Sequence, residues 1–268
     1  MFESILKNVR EKTPLVHHIT NYVTVNDCAN MALACGGSPI MADDALEVEE
    51  ITSICNALVI NIGTLNERTI ASMIKAGKKA NELGHPVILD PVGAGASKLR
   101  TETANMLLQE VRFTVIRGNI SEIKTVSMGF GTTKGVDADQ TDQAGGSEAA
   151  LTVAKELSKK TGAVVVITGA VDLITDGTNS YAVKNGHPLM SKITGTGCML
   201  TSVIGAYCGA NPDQPLEAAA AAVCAMGLCG EIGHRPDIGT SSYRTAIIDA
   251  MSLMDSKILN GGMKIERI

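Results

Sequence analysis

Short, mainly apolar runs at residues 57–62, 86–89, 112–116 and 163–168 alternate with longer stretches whose apolar positions recur every three or four residues, at 66–83, 98–110, 121–127 and 148–161. Continuous apolar runs suit strands buried on both faces, and the longer spacing suits helices. Strands alternating with helices predict βαβ units and a parallel sheet. Upstream, residues 1–13 read as a short polar helix with Ile5, Leu6 and Val9 as its stripe, and 14–20 as extended. A helix from Val25 to Ala34 closes at Gly36-Gly37, a common helix terminator. Residues 38–41 read as a rigid loop around Pro39, and the acidic segment 43–50 as a helix with a solvated face. Downstream, Asp176-Gly177 separates two short runs, 172–175 and 179–183, which predicts a hairpin and antiparallel strands at one edge of the sheet. Helices then follow to about residue 210, over 216–232 and over 241–258. In the first of these, Leu200, Val203, Ile204 and Tyr207 fall on one face, so an amphipathic helix is expected directly after Gly195-Thr196-Gly197. Residues 129–147 form the one long loop, and no linker or repeat divides the chain. One domain over residues 1–268 is the expectation.

Composition narrows this picture. The 268 residues are 45% apolar but only 3% aromatic, with 27 glycines and no Trp. Mean hydropathy is +0.15. A core of that kind is aliphatic, and its helices can approach one another closely. The formal net charge of −5, without a basic run, argues against nucleic acid as a partner. Neither a membrane span nor a secretory leader stands out, and seven scattered cysteines without a C-x-x-C pair read as reduced thiols in a cytoplasmic protein.

Candidate chemistry sits at the expected strand ends. In open parallel sheets ligands gather at the carboxyl ends of strands. Asp90 follows one apolar run, Arg117-Gly118-Asn119 another with Glu122 three residues on, and Thr168-Gly169 a third. Each has a purely structural explanation alone; Asn119 and Glu122, for example, have the spacing of a helix cap. The glycine turn at 195–197 presents unshielded backbone N–H groups at the start of a helix, a ready anion site. Cys198 in its first turn is either a small buried hydrophobe or a thiol that loses its proton more easily than usual. Together these groups suit phosphoryl transfer, which needs Mg²⁺ held by few carboxylates, a cation for phosphate oxygens and N–H groups around the migrating group. Asp90 and Glu122 are the candidates for the metal, Arg117 for nucleotide phosphates, and Gly195, Thr196 and Gly197 for the anion hole. A P-loop is excluded, because Lys134 in the glycine-rich stretch 129–135 precedes Gly and not Ser or Thr. His17 and His18, adjacent in an extended segment, point to opposite faces and cannot ligate one metal. Met41 offers a flexible thioether that suits a heteroaromatic ligand or a gap in the core.

Read together, His17–Val23, Gly37–Met41, Leu89–Gly95, Arg117–Glu122, Ile167–Gly169 and Gly195–Cys198 resemble the hydroxyethylthiazole kinases of the ribokinase-like superfamily, with the likeness running over residues 3–258. The resemblance implies a three-layer α/β sandwich, mostly parallel with antiparallel edge strands and helices on both faces. It implies ATP-dependent phosphorylation of 4-methyl-5-(2-hydroxyethyl)thiazole, a thiamine salvage step. By the same resemblance, Met41 and Gly195 lie at the thiazole with Asn21 or Asn26 nearby, Arg117, Thr168 and Asn119 at ATP, and Asp90 and Glu122 near Mg²⁺. A homotrimer with sites between subunits is implied as well. Sugar kinases of the superfamily carry aspartate where this chain has Cys198, which makes Cys198 the candidate base. A kinase for another small alcohol such as hydroxymethylpyrimidine, or a non-catalytic nucleotide- or thiazole-binding protein, is the competing expectation.

Overall fold

Alternate residues of the central strands enter two different cores. Val59, Ile88, Val115 and Val166 pack on one side; Leu58, Ile60, Leu89, Ile116 and Val165 pack on the other. That period of two, with both faces apolar, is why these runs are uninterrupted in sequence. The computed structural model describes residues 2–129 and 147–268, and the loop expected at 129–147 lies, but for its ends, outside the described residues. Its nine-stranded sheet comprises β1 (Leu15–Ile19), β2 (Ser38–Met41), β3 (Ala57–Asn61), β4 (Val87–Asp90), β5 (Val115–Asn119), β6 (Val164–Thr168), β7 (Asp172–Thr175), β8 (Ser180–Val183) and β9 (Ile265–Arg267). The order is β2-β1-β3-β4-β5-β6-β7-β8-β9, parallel from β2 to β6 and antiparallel beyond.

One face is covered by α1 (Glu3–Lys12), α2 (Val25–Cys35), α8 (Thr196–Ala210), α9 (Pro215–Gly233), α10 (Thr240–Ser252) and α11 (Ser256–Gly262). The other carries α3 (Val48–Ile54), α4 (Glu67–Leu83), α5 (Lys98–Glu110), α6 (Ile120–Gly129) and α7 (Ser147–Thr161). This is a three-layer α/β sandwich. Helix ends follow local chemistry: α2 stops at Gly36 with φ 101°, and α4 starts in a capping box between Asn66 and Thr69.

Several expectations are corrected. Residues 38–41 are not a loop but the edge strand β2, paired in parallel with β1; an edge position tolerates Pro39 because no ladder donor is needed on its open side. The third apolar run pairs as Val115–Asn119, three residues later than its hydrophobicity suggests, because Asn81 captures the backbone N–H and carbonyl of Arg112 first. The last helix is two, α10 and α11, broken between Ser252 and Ser256 where Asp255 caps the second. A short C-terminal strand, β9, covers the hairpin and takes the sheet edge. Finally, α8 is not amphipathic: it is buried continuously from Met199 to Cys208, between the sheet and α2 and α9. α9 is long and apolar enough to cross a membrane, yet 83% of it lies inside the fold, the signature of a core helix.

The paired histidines are structural and have assignable tautomers. His18 Nδ1 faces the Val16 carbonyl at 3.0 Å and must donate, so Nε2 accepts from Ser202 Oγ at 3.1 Å. His17 Nε2 donates to the Ala42 carbonyl at 2.8 Å and Nδ1 accepts from Thr52 at 2.9 Å. Burial lowers both imidazoles, His18 to about 4. The unfolded chain takes up that proton below its ordinary value, whereas the folded chain resists it. The stability from His18 is therefore complete above the ordinary histidine range and is lost as pH falls toward 4, by roughly 3 kcal/mol. Denaturant midpoints measured from pH 7 down to 4 are expected to fall accordingly, and His18→Gln to flatten that part of the profile.

Candidate active site

All parallel strands end at one edge of the sheet, and polar side chains collect there. Asn21 follows β1, Met41 ends β2, Asn61 ends β3, Asp90 ends β4, Arg117 and Asn119 lie in the last three residues of β5, and Thr168 ends β6. The chain leaves β1 for β2 on one side and returns to β3 on the other, so the topological switch point falls beside Asn21 and Asn61.

α8 brings its N-terminus to this edge. Its cap, Gly195, has φ 88°, and a Cβ there would stand 2.5 Å from Thr24 Cγ2. Both conformation and space demand glycine. At Gly197 a Cβ would stand 2.5 Å from Nη1 and Nη2 of Arg117, so the guanidinium lies directly on the backbone of the first turn.

Asp90 is fully buried and holds the centre. Its Oδ2 accepts from Asn61 Nδ2 at 2.9 Å and Thr201 Oγ1 at 2.8 Å. Its Oδ1 faces Arg117 Nη1 at 3.4 Å. Burial pushes the Asp90 carboxyl up from its ordinary range, and Arg117 and Thr201 draw it back. Arg117 Nη2 also donates to Thr168 Oγ1 at 2.6 Å, while its buried Nε has no partner among the described residues. Cys198 is the one cysteine not fully buried. Its Sγ accepts from Asn21 Nδ2 and Asn61 Nδ2, each at 3.3 Å. Burial, then the Asp90 charge, raises its thiol above the ordinary value, and the neighbouring polar side chains, Asn21 and Asn61 among them, oppose the rise.

Glu122 forms a reciprocal cap with Asn119: its Oε2 accepts from Asn119 N at 2.9 Å, and Asn119 Oδ1 accepts from Glu122 N at 2.9 Å. Its Oε1 takes Gly93 N at 2.8 Å, which ties the turn after β4 to the start of α6. Met41 is half-buried at the end of the edge strand, in register with His18. Asn26 is not brought to the cluster; it is exposed on α2 and bonded to Asn30.

Next to the α8 turn lies a cavity of about 540 Å³. Arg117, Thr168 and Gly197 line it together with Asp172, His187 and Met226. Burial pushes the Asp172 carboxyl up to about 6, opposed by its hydrogen bond from Gly169 N. Sequence reasoning missed Asn61 and Thr201, the two donors to Asp90. Asn61 carries a signal, being a polar residue inside an apolar strand run; Thr201, inside a buried helix, carries none.

A glycine-flanked N-terminal turn, a guanidinium lying on it and an adjoining cavity are an arrangement that can receive an anion. The family model of the hydroxyethylthiazole kinase family matches residues 6–257. The chain belongs to the hydroxyethylthiazole kinase family. It is 60% identical to a hydroxyethylthiazole kinase of Clostridium acetobutylicum, over 99% of each chain. It is 55% identical to one from Clostridium beijerinckii, over 99% of this chain and 96% of that one. The hydroxyethylthiazole kinase structure from Pyrococcus horikoshii superposes with a TM-score of 0.89 at 36% identity, covering 100% of this chain and 98% of that one. A pyridoxal kinase from Staphylococcus aureus, solved with AMP-PCP and pyridoxal, matches at TM-score 0.64 and 15% identity over 96% of this chain and 99% of that one, a likeness of fold. The enzyme is thus a phosphotransferase of the hydroxyethylthiazole kinase family with a ribokinase-like fold, a thiamine salvage kinase with ATP as co-substrate.

Proposed function

We propose that the γ-phosphoryl group of ATP passes to the primary hydroxyl of 4-methyl-5-(2-hydroxyethyl)thiazole at the N-terminus of α8. The observation that carries this reading is the convergence of the Gly195-Thr196-Gly197 turn, the Arg117 guanidinium lying on it and the Asp90–Asn61–Cys198 chain of hydrogen bonds. Nucleotide phosphates lie in the cavity on Arg117 and Thr168, with Asn119 at the neighbouring end of β5 as a further ATP contact. Met41 and Gly195 contact the thiazole, and Asn21 acts from behind Cys198. The substrate oxygen attacks the γ-phosphorus in line, the bond to the bridging oxygen of ADP breaks, and ADP leaves with the electron pair. The hydroxyl proton goes to Cys198 Sγ. Backbone N–H groups of residues 195–198 hold charge that builds on the phosphoryl oxygens.

Among the described residues no group of three or more His, Cys, Asp or Glu could hold a metal ion. Both oxygens of Glu122 already accept a backbone N–H, and Asp90 Oδ2 accepts twice. Asp90 and Glu122 would therefore hold Mg²⁺ through water, and the ion would supply charge neutralisation to the ATP phosphates. The homotrimer with sites between subunits is carried by the family resemblance, and Tyr22 and Val23, 79% and 58% exposed beside Asn21, are apolar surface that a neighbouring chain would cover. Seven free cysteines support a reducing, cytoplasmic setting.

The reading is tested by incubating the protein with Mg-ATP and the thiazole alcohol, following the phosphate ester, ADP and particle size on one sample. Pyridoxal or hydroxymethylpyrimidine phosphorylated in preference would displace the substrate assignment. Gly197→Ala, whose methyl group would displace the Arg117 guanidinium, is expected to raise the KM for ATP about tenfold, the cost of a charge-assisted contact. An unchanged KM would remove Arg117 from the phosphates.

A further inference from the structure

Two buried amides donate to one sulfur, and neither is free to turn round. Asn21 Oδ1 accepts from both the backbone N–H and the hydroxyl of Thr24, each at 3.1 Å. That fixes which end of the amide is oxygen, and obliges Nδ2 to face Asn61 Oδ1 at 3.0 Å and Cys198 Sγ at 3.3 Å. Asn61 Oδ1 accepts from Gly63 N at 2.9 Å as well as from Asn21, so its own Nδ2 faces Asp90 Oδ2 and Cys198 Sγ. Each amide thereby spends two donors and two acceptor positions, its full capacity. Neither has a polar group left for the substrate. Asn21 is 4% exposed and Asn61 1%, so water does not compete for these bonds.

We propose that Asn21 and Asn61 form a two-amide clamp that positions Cys198: it holds the sulfur as an acceptor, favours its thiolate and leaves the remaining lone-pair direction open for the substrate's hydroxyl proton. Both amides are positioning residues and touch no substrate. A thiol in this place has its S–H bond turned away from both donors, since an N–H facing an S–H would be a clash of two donors. A thiolate gains two N–H bonds in a pocket where burial works against its charge. The clamp also ties the base to the Arg117–Asp90 pair through Asn61, so sulfur and phosphate-binding cation are set by one rigid network. The catalytic consequence rests on the phosphotransfer reading; the effect on the sulfur does not.

The test uses the intact enzyme and reads the sulfur directly. Cys198 is the one cysteine that is not buried, so iodoacetamide consumption by the folded protein reports on it, with Cys198→Ala as the blank. Asn21→Asp and Asn61→Asp keep side-chain size but replace the donor facing the sulfur with an acceptor. Each is expected to slow alkylation at pH 8 at least about tenfold, because the thiolate fraction falls. Turnover falls with it, and in the Asn21 variants, which leave the Asn61–Asp90 bond in place, the KM for ATP stays within about twofold. Asn21→Ser removes one donor and leaves the Asn61–Asp90 bond intact; it is expected to slow alkylation by a smaller factor and decides the question if the aspartate variants do not fold. A folded variant alkylated at the wild-type rate would overturn the clamp, even with a lowered melting temperature. Wild-type turnover in Cys198→Ala would instead overturn the base role of the sulfur and leave the alkylation result standing.

Discussion

Cys198→Ala is expected to turn over about a hundredfold more slowly than wild type, the usual worth of a positioned general base, with thiazole affinity nearly unchanged. The fall is bounded because phosphoryl transfer draws most of its rate from positioning and charge stabilisation, and the variant keeps the Gly195–Gly197 turn and Arg117. A second signature separates loss of a base from loss of packing. Burial and the Asp90 charge hold the thiol above its ordinary value, so only a minor part of the wild-type enzyme carries thiolate at neutral pH. Wild-type turnover should therefore climb as pH rises from neutrality toward the alkaline range, and the Ala variant should lack that climb. Cys198→Asp restores a base and should remain active with its pH dependence displaced toward acid. Equal turnover and equal pH profiles for wild type and Cys198→Ala would remove the thiol from proton transfer.

Asp90→Asn is expected to cost more. The carboxylate is fully buried and accepts from Asn61 and Thr201 on one oxygen while facing Arg117 on the other. Asparagine has one carbonyl oxygen. If that oxygen keeps Asn61 and Thr201, the new amide hydrogens confront the guanidinium, and the half-buried Arg117 loses its ion-pair partner at 3.4 Å. Breaking one member of a buried charge pair costs about 3–5 kcal/mol, and the 3.4 Å separation here places this pair at the lower end. Part of that cost appears as a lower unfolding midpoint. The remainder appears in the site, where a displaced Arg117 no longer lies on the α8 turn, and turnover is expected to fall about a hundredfold to a thousandfold. Because Asp90 is also assigned to Mg²⁺, the metal concentration for half-maximal rate should rise. Unchanged metal dependence would confine Asp90 to a structural role.

Much of this was legible before the fold was known, and the reasons differ by element. The parallel core was readable because each central strand is apolar on both faces, and the expected helix over 98–110 coincides with α5, which Ser97 caps in the structure. Asp90, Arg117 and Thr168 could be singled out because polar groups at the ends of apolar runs fall on one edge of a parallel sheet. The misses have physical causes. β2 is a four-residue edge strand with a proline, too short to show a period. β9 is three residues long and exists through its pairing with β8, information held by a distant segment. α8 reads as amphipathic only until α2 and α9 are packed against its other faces, which tertiary contact alone reveals. In the site, Asn119 and Glu122 have the spacing of a cap and form one. Asn26, two residues from the cap of α2, turned outward because helix phase and not proximity in sequence decides which side chain meets α8. Asn61 and Thr201 matter through bonds to Asp90 that no local pattern announces.

The central claim is that phosphoryl transfer takes place at the N-terminus of α8, between Arg117 and Cys198. The most direct measurement is a crystal structure of the enzyme with the thiazole alcohol and a non-hydrolysable ATP analogue bound together. The account predicts the terminal phosphate on the backbone N–H groups of residues 195–198 and the alcohol oxygen within hydrogen-bond distance of Cys198 Sγ. A terminal phosphate seated away from that turn, or an alcohol oxygen facing a group other than Cys198, would contradict it.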